Sequence, residues 1–77
     1  MKSDISTSKV VKRSLSIRGH RTSISLEAEF WAQLKLVAME KNISIAQLVA
    51  DIDTMRSQVN LSSALRVFVL NQLIERL

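Results

Sequence analysis

From Arg21 to Leu26 the chain reads Arg-Thr-Ser-Ile-Ser-Leu, a strict alternation of polar and larger side chains. Successive strand residues point to opposite faces, so the pattern predicts a β-strand with Arg21, Ser23 and Ser25 on one face and Thr22, Ile24 and Leu26 on the other. The second row needs a core beneath it. A similar alternation, Ser-Leu-Ser-Ile-Arg, covers residues 14–18, but its apolar members Leu15 and Ile17 are odd-numbered while Ile24 and Leu26 are even. One unbroken strand would turn the two apolar pairs to opposite faces, so the chain must change course near Gly19. Gly19 can mark a bulge after an irregular segment, or open a two-residue type II′ hairpin turn. The hairpin would set Ile17 against Thr22 and Leu15 against Ile24, but also Arg18 against Arg21, two like charges. That repulsion leans the expectation toward the irregular segment, and both routes stay open.

The period then changes from two to about 3.6. Phe30, Leu34, Val37 and Ala38 predict a helix from Glu27 to about Lys41, widened by Trp31, with Glu27 and Glu29 at the positive end of its dipole. Asn42 follows the last turn and tolerates the left-handed conformation that stops a helix. Ser44 is suited to cap a second helix from Ile45 to about Met55, whose apolar positions are Ile45, Leu48, Val49, Ile52 and Met55. After a polar stretch, Asn60 or Ser62 can cap a third helix running almost to Leu77. Leu65, Phe68, Val69, Leu73 and Leu77 form its apolar face, and Val67, Leu70 and Ile74 widen it past half the circumference. A helix that greasy has too little to pack against in a small monomer and is expected to meet a second chain.

Size sharpens that expectation. The chain has 77 residues, no cysteine and one histidine. Disulfides are excluded and the usual zinc ligands are missing, which leaves oligomerisation as the way to reinforce a marginal core. Neither a metal nor a cofactor is expected. Charge is distributed unevenly. Residues 1–26 carry Lys2, Lys9, Lys12, Arg13, Arg18 and Arg21 against Asp4 alone, a net +5, whereas residues 27–77 carry five basic and six acidic side chains, a net −1. Such asymmetry points to a polyanion bound through the N-terminal third. Residues 1 to about 11 are rich in Ser and Lys and read as a flexible basic arm. With an irregular segment after them, the division becomes an arm over 1–19 and a folded domain over 20–77. No signal-like or membrane-spanning segment is evident, so a cytoplasmic, nucleoid-associated protein is expected, without membrane contact.

These parts do not build an enzyme. There is no cysteine nucleophile, no glycine-rich phosphate loop and no serine with an evident base, and Asp51 and Asp53, two apart on a helix, do not face each other. A lone Arg21 on a half-exposed strand is by default a solvated charge. Two serines at matched parity inside a +5 segment turn the balance toward nucleic acid. His20 beside Gly19 reads as a turn residue with at most a phosphate contact. Lys12, Arg13 and Arg18 suit phosphates, and Phe30 and Trp31, about 100° apart, read as core.

A short basic strand, a helix, a tight turn and a second capped helix resemble, over Arg21 to Met55, the ribbon-helix-helix DNA-binding proteins that include the Arc and Met repressors. More narrowly, GHRTSISLEAEFW followed by NLSSALRVFVL resembles a bacterial ribbon-helix-helix group with an added C-terminal helix. The resemblance implies a mainly α fold with one short strand, and an intertwined dimer whose strands pair into an intersubunit antiparallel ribbon in the major groove of double-stranded DNA. Arg21, Ser23 and Ser25 would then face bases, Arg through a bidentate contact to guanine. The start of the second helix, Ser44 and Ile45, would hold a phosphate through free N–H groups and the dipole. Asn42 stands where many members have glycine.

The function expected is a homodimeric transcriptional repressor, with higher oligomers on DNA left open. The nearest alternatives are an antitoxin that represses its own operon and an adaptor that docks a protein partner through the C-terminal helix.

Overall fold

Two positive φ angles fix the register of the N-terminal third. Arg18 (φ 50°) and Gly19 (φ 80°) form a two-residue loop between β1, Val10–Ile17, and β2, His20–Glu27. Positive φ at both central residues is the type I′ geometry, whose twist matches that of the flanking strands. The computed structural model describes residues 9–56 and 58–77. Its strands pair antiparallel with Ile17 opposite His20, Leu15 opposite Thr22, Arg13 opposite Ile24 and Val11 opposite Leu26.

This corrects the sequence reading in three respects. The segment before Gly19 is a regular strand, so the described residues hold two strands, the first of them opening at Val10, well inside the expected 1–19 arm. Residues 1–8 of that arm lie outside the described residues. The loop is Arg18-Gly19, one residue earlier than the type II′ alternative. The physical reason is charge: Arg18 moves into the loop, and Arg21 faces Ser16 instead of another arginine.

The hairpin underside, Ile17, Ile24 and Leu26, is buried against the helices. Helix α1, Ala28–Lys41, starts one residue later than expected, with Glu27 as its N-cap. It buries Trp31, Leu34, Val37 and Ala38, while Phe30 is half-buried at the core's margin. Asn42 ends it in the left-handed conformation (φ 58°), and the Ile43 N–H donates to the Ala38 carbonyl at 3.0 Å. Helix α2, Ile45–Met55, is capped by Ser44 and buries Leu48, Val49, Ala50 and Ile52, while Met55 is exposed. Helix α3, Leu61–Glu75, is capped by Asn60, whose side-chain oxygen accepts from the Ser63 N–H at 2.8 Å. Ser62, the other cap candidate, is used elsewhere. Only Leu65 and Val69 of α3 are buried; Leu73 and Leu77, assigned with them to its apolar face, are exposed.

Candidate nucleic-acid interface

The hairpin turns a polar face outward, with Val10 at its open end. Arg21, Ser23 and Ser25 of β2 are exposed, as the alternation predicted, and directly opposite them stand Ser16, Ser14 and Lys12 of β1. Partners across a strand pair share a face, so the sheet presents two parallel rows, Lys12-Ser14-Ser16 and Arg21-Ser23-Ser25. Sequence reasoning missed Ser14 and Ser16. Their signal was present in the matched spacing of a basic residue and two serines, but only the register makes the two rows one surface.

Two of the expected phosphate contacts, Arg13 and Arg18, have other surroundings. Arg13 lies on the underside, half-buried, with its guanidinium carbon 4.7 Å from the centroid of the Trp31 ring. The cation sits on the ring's negative face, and Nε has no hydrogen-bond partner among the described residues. Arg18 reaches across to α2, where it pairs with Asp53 and donates to the Thr54 hydroxyl at 2.7 Å and the Ala50 carbonyl at 3.2 Å. Asp53 also accepts from Arg56 Nε at 2.6 Å. The hydrogen bond from Arg56, then that from Arg18, hold the Asp53 carboxyl below its usual range. His20 is exposed at the start of β2, opposite Ile17.

Arg18 thereby ties the ribbon tip to the last turns of α2, and Ser16, Arg18, Ser44, Gln47 and Thr54 border one hollow between the hairpin and that helix. Ser44 Oγ accepts from the Gln47 N–H at 3.0 Å. The N–H groups of Ile45 and Ala46, at the helix start, have no acceptor among the described residues. They point from the positive end of the helix dipole, on the flank of the ribbon.

The remaining edge of β2 is open. In a two-residue hairpin Ile17 and His20 form a hydrogen-bonded pair, so the backbone groups of even-numbered β2 residues face β1 and those of Arg21, Ser23 and Ser25 face away from it. Among the described residues the sheet has two strands. Helix α3 touches the C-terminal end of that edge, where the Ser62 hydroxyl donates to the Ser25 carbonyl at 2.8 Å and Arg66 Nε donates to Glu27 Oε1 at 2.9 Å. The hydrogen bond from Arg66 is the main cause of a Glu27 carboxyl held below its ordinary value.

No helix among the described residues is long and apolar enough to cross a membrane. Searches of the curated proteins and of the solved structures gave no significant match. Compared with models of protein families, residues 10–73 match the ribbon-helix-helix domain, so the matched region opens with β1 and reaches nearly to the end of α3. An outward polar strand, a helix, a left-handed stop and a second capped helix agree with that match over most of the sequence, and the chain belongs to the ribbon-helix-helix family of DNA-binding regulators.

Proposed function

We propose that this chain acts as a homodimeric repressor that occupies operator DNA, with the β2 strands of two copies forming the ribbon that reads the major groove. The observation that carries the reading is β2 itself: Arg21, Ser23 and Ser25 point outward from a strand whose second edge has no strand beside it among the described residues. Pairing two β2 edges antiparallel about Ser23 satisfies those backbone groups and doubles three base-facing side chains to six.

The intrachain hairpin adds a constraint. Two paired hairpins make a four-stranded sheet about 14 Å across between its outer strands, from a spacing of about 4.8 Å. The major groove is about 12 Å wide and admits a two-stranded ribbon. On this reading the central β2 pair enters the groove and the outer β1 strands ride over its walls. Lys12, Ser14 and Ser16 then meet phosphates, together with the α2 start at Ser44 and Ile45, and His20 reaches the backbone at the ribbon's end. Arg13 and Arg18 are engaged inside the chain and leave this list.

Selection of bound duplexes from a random pool, followed by footprinting of the winner, tests the proposal. The expected result is a site with two-fold symmetry, bound at least a thousandfold more tightly than random duplex, on the order of the usual specific-to-nonspecific ratio. Equal, salt-sensitive binding to every sequence and to RNA would instead mark a general polyanion binder.

A further inference from the structure

We propose that the exposed apolar stripe of α3 is covered by a second copy of this chain, as a continuation of the face that begins at the open edge of β2. The proposal rests on the dimeric reading above and adds the part of the dimer that the ribbon does not supply. At 100° per residue, Val67, Leu70, Leu73 and Ile74 fall within an arc of about 120° on α3, and Leu77 follows just past the end of the helix. They are between 46% and 103% exposed, while Leu65 and Val69, the buried residues of that helix, flank the arc on the Leu73 side. The core of the single chain therefore uses one face of α3 and leaves a second, larger apolar face in water.

The position of the stripe identifies its occupant. Ser62 and Arg66 border the arc at its N-terminal end, and these are the residues that hold the Ser25 carbonyl and the Glu27 carboxylate at the open edge of β2. A strand that pairs with that edge arrives alongside the border of the stripe and brings the rest of its chain with it. Area gives the second argument. The edge of an eight-residue strand is about 26 Å long and about 5 Å deep, on the order of 130 Å². A stable interface takes about 800 Å² from each partner, so the ribbon needs an adjoining apolar surface. The stripe is uncharged over its last three turns, and a two-fold axis can set an apolar face against an apolar face with no charge to match.

The cysteine-free sequence permits a clean test on the full chain. Sedimentation velocity on Leu70→Glu/Leu73→Glu should show a dimer weakened on the order of a hundredfold or more, with the native chain dimeric at the same concentration. A double variant that dimerises like the native chain overturns the proposal. Should the double variant fail to fold, the milder Leu73→Cys substitution carries the test through its rate of maleimide labelling. Slow labelling where the chain is dimeric, rising on dilution to monomer, supports the stripe as interface. Labelling at one rate across that range overturns it, and so does a dimer that leaves the thiol open while a different protein shields it. A native chain that stays monomeric at every concentration would overturn the dimeric reading as well, whereas the other adverse outcomes leave the ribbon dimer standing.

Discussion

Three arginines within nine residues have three different roles, and backbone geometry separates them. Arg13 shares a face with Ile24 and lies on Trp31; Arg18 occupies a left-handed loop position and turns toward α2; Arg21 stands on the outward face opposite Ser16. Their substitution should therefore change different measurements. Arg21→Ala is expected to cost about 1–3 kcal/mol on the selected duplex, the scale of a bidentate contact to guanine, and to relax preference at one base pair in each half-site. Binding isotherms on selected and scrambled duplexes check this, and an equal loss on both would reduce Arg21 to a phosphate contact. Arg13→Ala removes a cation from a ring face, a contact of about 0.5–2 kcal/mol, so it should lower the unfolding midpoint while leaving base preference as it was. Ile24, 2% exposed beneath the sheet, gives the sharpest test of strand parity. Ile24→Asn leaves a cavity and buries an amide, and should prevent folding or dimerisation at a cost of about 2–5 kcal/mol. A soluble, folded Ile24→Asn dimer would mean that the ribbon faces are reversed.

At the level of elements, the hairpin is held to α2 through Asp53 and to α3 through Glu27 by ionic contacts that titrate. Asp53 and Glu27 both have carboxyls lowered in the folded chain, by Arg56 and Arg18 in one case and by Arg66 in the other. Groups of this kind stabilise the fold fully above the ordinary carboxylate values, 3.8 and 4.5 here, and the contribution fades as pH falls from there through the lowered values. Urea midpoints measured from pH 6 down to pH 2 should decline in that window, and Asp53→Asn should flatten part of the decline. An unchanged pH profile in Asp53→Asn would show that the Arg18 tether does not hold the tip. The helices around this tether were legible because each carries its own punctuation: Ser44 caps α2, Asn42 stops α1 in a left-handed turn, and apolar residues recur at helical spacing. The strand β1 was not equally legible. The type II′ register and the observed one both put Leu15 and Ile17 on the same face as Thr22 and Ile24, so hydrophobic patterning cannot choose between them. The choice rests on a non-glycine residue adopting φ 50°, with its side chain bonded 32 to 36 positions away. A contact that distant leaves no periodic trace. For the same reason Ser14 and Ser16 stayed outside the candidate site, although the mirrored spacing Lys12-Ser14-Ser16 and Arg21-Ser23-Ser25 was present in the chain.

For the whole molecule, positive charge is concentrated in the N-terminal third and the remainder is near neutral. The net +5 lies before Glu27, and with Arg13 and Arg18 engaged by contacts within the chain, Lys12 and Arg21 are the basic residues left on the outward face of the described hairpin. A dimer presents each of them twice. Every phosphate neutralised by a cationic side chain contributes about 0.9 to the slope of log affinity against log salt, so removing one lysine from each copy should flatten that slope by about 1.8. Lys12→Ala is thus expected to weaken selected and random duplexes by the same factor, to lower the slope by that amount, and to leave the selected consensus intact. Fluorescence anisotropy titrations between about 50 and 200 mM salt read the slope directly, over a range in which phosphate contacts dominate the change. An unaltered slope would place β1 away from the backbone. A changed consensus with an unaltered slope would mean that β1 enters the groove, so that the intrachain hairpin, rather than a pair of β2 strands, is the ribbon that reads the bases.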